Sequence, residues 1–185
     1  MFKAEYYDKI YSTSDKYKCH YSRSPYKNIW ESAMKYIEGD VMDLGCGTGQ
    51  FANMLRDNNH KGKYIGIDFS GEAIDIARKV NPTMSFVCLD LNDVPWFSGT
   101  IVMFEVLEHI EDDIAVIKKI EKGSKVIFSV PDYMSDNHYR KFDNMEEVRD
   151  RYKMINIKWY QKWAFRKDCP EEEYNHIFLC YGKKR

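Results

Sequence analysis

Five cysteines, at 19, 46, 88, 169 and 180, form no C-x-x-C pair, so the spacings of redox motifs and zinc ribbons are missing. Two of them fall in strand-like runs or in a glycine turn, the usage expected of reduced thiols in a cytoplasmic protein. No apolar run approaches the roughly 20 residues that span a bilayer. The opening Met1-Phe2-Lys3-Ala4-Glu5-Tyr6-Tyr7 lacks a secretion-signal core. The expectation is an intracellular chain with no membrane partner. Charge of one sign is missing too. The 28 Lys and Arg against 29 Asp and Glu leave a formal net charge of -1, which excludes a global field for nucleic acid. There is no internal repeat and no low-complexity linker, and 185 residues suit one domain with a sizeable core.

What is present is organised around Val41-Met42-Asp43-Leu44-Gly45-Cys46-Gly47-Thr48-Gly49-Gln50-Phe51. An apolar run ends in a carboxylate, passes through alternate glycines and becomes the helical pattern Phe51, Met54, Leu55, which reads strand, tight turn, helix. Glycine tolerates positive φ and lets a ligand approach the backbone, and the helix behind it presents unpaired N–H groups. Dinucleotide sites carry G-x-G-x-x-G. Here the order is Asp-x-Gly-x-Gly-x-Gly, which argues against a nicotinamide oxidoreductase. A second acid, Asp68, ends the strand-like Tyr64-Ile65-Gly66-Ile67-Asp68, about 20 residues on, where an acid suits a ribose diol.

These two stretches, with Asp90, Phe104-Glu105-Val106-Leu107-Glu108-His109 and Val130-Pro131-Asp132, resemble the ordered motifs of class I S-adenosylmethionine-dependent methyltransferases over residues 24–182. The resemblance implies an α/β fold: a Rossmann-like seven-stranded, mostly parallel sheet with one antiparallel strand, order 3-2-1-4-5-7-6, and helices on both faces. Strands are expected at 41–44, 64–68, 85–89, 100–104 and 125–130, followed by 155–163 and 176–181 joined by a loop. The connection 91–99 is too short and turn-rich for a full helix. Residues 1–28 read as an irregular or partly helical arm or lid on a core at 29–182.

The resemblance implies S-adenosylmethionine as cofactor, held by Asp43, Gly45, Cys46, Gly47, Gly49, Asp68, Phe69, Asp90, Leu91 and Glu105. Asp68 would accept from the ribose hydroxyls, Phe69 would lie on the adenine face and Asp90 would accept from its exocyclic amine. Either acid alternatively caps its own turn. Cys46 reads as a small buried thiol, not a nucleophile. Glu105, Glu108 and His109, spaced i, i+3 and i+4, share a face if a helical turn begins near Glu105. With His138 they admit two roles. In one, Glu105 touches the cofactor while His109 or His138 takes a proton from a substrate hydroxyl. In the other, Glu105, Glu108, His109 and His138 bind a divalent metal such as magnesium or manganese. The Glu-x-x-Glu-His pattern with a later His looks like the metal site of small-RNA terminal 2′-O-methyltransferases and is similar to ubiquinone-pathway O-methyltransferases.

The aromatic and basic run 158–167 suits single-stranded nucleic acid, but the favoured reading is a half-buried β-hairpin with a lysine-bearing edge. The reading favoured is a methyltransferase acting on a small molecule at a hydroxyl oxygen. RNA-end 2′-O-methylation and a catalytically silent cofactor-binding module are the alternatives.

Overall fold

The computed structural model describes residues 4–165 and 174–185. Seven strands form one sheet in the order β3-β2-β1-β4-β5-β7-β6: β1 Val41–Leu44, β2 Tyr64–Asp68, β3 Ser85–Cys88, β4 Thr100–Phe104, β5 Lys125–Pro131, β6 Ile155–Ala164 and β7 His176–Lys184. β1 to β5 pair in parallel, while β7 runs antiparallel to both β5 and β6. The expected order and the late reversal are both found.

Alternation along the strands divides the core into two layers. Val126, Phe128 and Val130 of β5 pack on one face with Val116 and Ile117 of α6 (Asp113–Lys118) and Val148 of α7 (Met145–Arg151). Ile127, between them, points to the other face. There it joins α3 (Lys27–Met34), α4 (Gln50–Asp57) and α5 (Gly71–Val80). Ser70 caps α5 by accepting from Ala73 N, as a serine before an apolar helical stripe should. No helix lies between β3 and β4, so Ile65, Val87, Leu89 and Trp96 stay exposed along that side of the sheet.

The N-terminal segment is more regular than its sequence suggested. It forms α1 (Ala4–Thr13), α2 (Asp15–Lys18) and a 3-10 turn at Tyr21–Arg23. Its polar groups dock on the glycine turn and the helix behind it. Gln50 Nε2 donates to the carbonyls of Lys16 (3.0 Å) and Cys19 (2.8 Å), and Thr48 Oγ1 donates to that of Tyr17. The acidic loop Asp168-Cys169-Pro170-Glu171-Glu172-Glu173 lies outside the described residues.

Candidate functional site

The site lies at the carboxyl ends of the parallel strands, where open α/β sheets place ligands. Gly45, Gly47 and Gly49 all take positive φ, which explains why only glycine occupies these positions. A Cβ on Gly45 would sit 2.5 Å from Val106 Cγ2, and one on Gly47 would sit 3.3 Å from Tyr11 Oη. Asp68 stitches the turn to β2. Its Oδ2 accepts from Gly47 N (2.8 Å) and its Oδ1 from Ser70 N (2.9 Å). Burial still outweighs these bonds and pushes its carboxyl up to about 6.

Two cavities adjoin here. The smaller, about 110 Å³, is lined by Asp68, Phe69, Asp90, Leu91 and Val106, among others. The larger, about 590 Å³, runs from Asp43 and the glycine turn to Glu108, His138, Tyr133 and Phe165. Gly45, Glu105, His109, Tyr7 and Tyr11 line both. Small-molecule sites usually enclose at least roughly 300 Å³. The smaller cavity falls short of that, with Tyr7 and Tyr11 of α1 forming part of its wall and Tyr7 packing on Phe69 with ring centroids 5.2 Å apart.

The remaining residues named from the sequence are placed as follows. Asp43 accepts from Tyr64 Oη at 2.7 Å, and burial pushes its carboxyl up to about 7. Cys46 packs its Sγ against Gly66, where a Cβ would lie 2.8 Å away, and burial raises its thiol. A raised thiol is an inert one. Asp90 caps its own turn through Asn92 N (2.8 Å) while lining the smaller cavity.

The helical grouping of Glu105, Glu108 and His109 is corrected. Glu105 has φ 56° and ends β4 in a left-handed turn, and only Leu107–His109 is helical, as one 3-10 turn. Chain reversal, not a shared helix face, brings these side chains together. Glu105 is instead tied to β5: Ser129 Oγ accepts from Glu105 N (2.9 Å) and donates to Glu105 Oε1 (2.8 Å).

Glu108, His109 and His138 do form a cluster, with one ligand atom from each within 4.8 Å of the others. Glu105, the fourth residue of the expected metal set, is not in it. Both oxygens of Glu108 are buried without a hydrogen-bond partner. Burial, aided by the charge of Glu105, raises its carboxyl well above the usual range. His109 Nδ1 lies 2.9 Å from the Asn137 carbonyl and His138 Nδ1 lies 3.2 Å from that of Tyr133. With each Nδ1–H donated to a carbonyl, both Nε2 lone pairs are left without a hydrogen bond, that of His109 lying 3.8 Å from Glu108 Oε1. Desolvation lowers both imidazoles, His109 to about 4, and keeps them neutral near pH 7.

A buried clamp holds this turn in place. Arg140 donates to the carbonyls of Leu107, Ile110 (2.6 Å) and Glu111 (2.7 Å) and pairs with Asp113 at 3.2 Å. Asp113, buried at the start of α6, also takes Arg151 at 2.6 Å and Tyr152 Oη at 2.8 Å. The sequence reading missed Tyr7, Tyr11, Asn137 and Ser129. Ser129 carried a signal: it is the lone hydroxyl in an apolar strand, and a buried hydroxyl there needs a partner.

Relatives agree with this architecture. A curated protein of Invertebrate iridescent virus 6, named "Putative methyltransferase 235L", is 24% identical over 154 residues, which are 80% of this chain and 57% of the viral protein. The chain therefore spans little more than half of that relative. A SAM-dependent methyltransferase from Anabaena variabilis superposes with a TM-score of 0.72 at 16% identity, covering 98% of this chain and 93% of that one. The N-methyltransferase NodS from Bradyrhizobium japonicum, solved with S-adenosyl-L-homocysteine, gives 0.64 at 15% identity over 86% and 85%. Both likenesses are of fold. Residues 23–178 match a family model described as a methyltransferase domain, and with the sheet order and glycine turn above, that extent shows that the chain belongs to the class I S-adenosylmethionine-dependent methyltransferases.

Proposed function

We propose that the protein transfers a methyl group from S-adenosylmethionine to a hydroxyl oxygen of a small molecule. The observation that carries this reading is the pair of cavities meeting at Gly45, Glu105 and His109, one edged by strand-tip acids and the other by free imidazole nitrogens. The residues present fit the donor. Asp68, at the tip of β2, retains lone pairs for a ribose diol after accepting two backbone N–H groups. Phe69 and Leu91 offer apolar surface to a base, and the glycine turn leaves backbone open to the methionine end. The bound donor would supply an already activated methyl, so the chain has to orient an acceptor, exclude water and take up one proton.

His138 is the better base of the two. It lines only the larger cavity and is less strongly depressed than His109, so it binds a proton more readily near neutral pH. α1 would act as a lid, with Tyr7 and Tyr11 withdrawing to admit the nucleoside.

Calorimetry with S-adenosylhomocysteine tests the donor site, with micromolar binding expected. Turnover of S-adenosylmethionine across a panel of small hydroxylated compounds tests the acceptor. His138→Ala should abolish that turnover and leave S-adenosylhomocysteine affinity unchanged. No binding at millimolar ligand would overturn the reading.

A second reading is favoured by the orphaned oxygens of Glu108. Together with the Nε2 atoms of His109 and His138 they would hold magnesium or manganese, with each imidazole oriented through its other nitrogen as metal-bound histidines usually are. Loss of turnover on chelation, restored by manganese, would support it; indifference to chelator would remove it.

A further inference from the structure

Ser129 interrupts β5, the most completely buried strand among the described residues. Val126, Ile127, Phe128 and Val130 around it are each 0% exposed, and so is Ser129. A hydroxyl in such surroundings carries a desolvation penalty that alanine would avoid. Here both of its hydrogen-bonding capacities go to one residue on the neighbouring strand, accepting from Glu105 N and donating to Glu105 Oε1. The sheet register pairs Ser129 with Phe104, so the hydroxyl sits beside the point where β4 ends.

Glu105 is one of two non-glycine residues with positive φ among the described residues, and the other is Asn59. Asparagine enters the left-handed region readily, whereas a long side chain there is strained and persists only when its surroundings over-determine it. Ser129 supplies that determination. The strained turn places the Glu105 carboxyl in the wall common to both cavities. Its second oxygen makes no hydrogen bond or ion pair among the described residues.

We infer that Ser129 is a positioning residue that holds Glu105 in its strained turn so that the free carboxylate oxygen faces the cationic sulfur of the donor. This rests on the donor reading proposed above. Burial pushes the Glu105 carboxyl up to about 7, so a ligand that brings positive charge beside it favours the ionised form and is bound in preference to one that does not. S-adenosylmethionine carries that charge on its sulfonium. S-adenosylhomocysteine, otherwise nearly identical, does not.

The experiment is the ratio of the two dissociation constants, measured by calorimetry on the full chain, for the unsubstituted protein and for Ser129→Ala, Ser129→Thr and Glu105→Gln. Thermal melts establish that each variant is folded. Ser129→Ala and Glu105→Gln should each weaken S-adenosylmethionine by about tenfold, or ~1.4 kcal/mol, with S-adenosylhomocysteine changed much less. Ser129→Thr, which keeps the hydroxyl, should restore the ratio. Should Ser129→Ala fold poorly, Glu105→Gln carries the same prediction with β5 intact. An unchanged ratio in a folded Glu105→Gln, or equal loss of both ligands, would overturn the inference while leaving the donor reading in place. Failure of the unsubstituted protein to bind either ligand would overturn both.

Discussion

Glu108 and Asp113 stand five positions apart, both 0% exposed, yet their surroundings are opposite. Asp113 is met by Arg140, Arg151 and the Tyr152 hydroxyl. Neither oxygen of Glu108 accepts a hydrogen bond, and its nearest basic group is the neutral His109 Nε2, 3.8 Å from Oε1. A buried carboxylate with matched donors is part of a scaffold, because removing it strands the charges around it. A buried carboxyl without donors weakens the fold, which points to a role outside stability. The same short stretch of chain therefore contains a structural anchor and, in the second reading proposed above, a group that meets a ligand, and Arg140 connects them by bonding the carbonyls of the turn that carries Glu108.

The comparison can be broken most directly at the anchor. Asp113→Ala should lower stability by about 3–5 kcal/mol, read as a shifted urea midpoint. A change below about 1 kcal/mol would mean that the arginines are solvated independently of it.

Asp43 is an intermediate case, buried with a single partner. Its folded carboxyl is raised from 3.8 to about 7, so the folded chain keeps a proton that the unfolded chain releases. Its contribution is full at low pH and is lost as pH rises through 7. Asp43→Asn should remove about 3 kcal/mol of the stability difference between pH 5 and pH 8, measured by denaturant titration at both values. An equal pH dependence in the two proteins would assign the effect to other groups.

Asp68, buried with two backbone donors, belongs to the ligand side in the proposed reading. Asp68→Ala should weaken S-adenosylhomocysteine at least tenfold, about 1.4 kcal/mol. The smallest effect on stability is expected at Glu108→Gln, within about 1 kcal/mol of the parent, since the substitution removes no partner. A large destabilisation there would erase the distinction between the two carboxylates.

The parallel strands and the glycine turn were legible in the sequence because they follow from local patterns: a short apolar run, alternate glycines, and an acid closing the next strand; the order of the strands came only with the family resemblance that those motifs carry. The 3-10 turn was not. The i, i+3, i+4 spacing of Glu105, Glu108 and His109 fits a helix, but Ser129 draws Glu105 into a left-handed turn, and a hydrogen bond from a strand 24 residues away leaves no trace in local periodicity. The N-terminal arm was legible only as an irregular or partly helical arm or lid. Its helices become visible through what Tyr7, Asp8 and Tyr11 touch. Asp90 shows the other limit, since capping a turn and meeting a ligand ask for the same residue type at the same place.

One chain of hydrogen bonds couples the arm to Asp68 in the wall of the smaller cavity. Asp8 Oδ1 accepts from Ser70 Oγ (2.5 Å) and Glu72 N (3.2 Å), while Ser70 N donates to Asp68 Oδ1. Swinging α1 away would deprive the first turn of α5 of an anionic cap at the moment the cavity opens. In the proposed reading, where α1 is a lid, these bonds bias the resting protein toward the shut gate, and the donor must displace Tyr7 and Tyr11 against that bias. Cleavage by a protease within residues 13–20 should accordingly report on cavity occupancy without any knowledge of the acceptor.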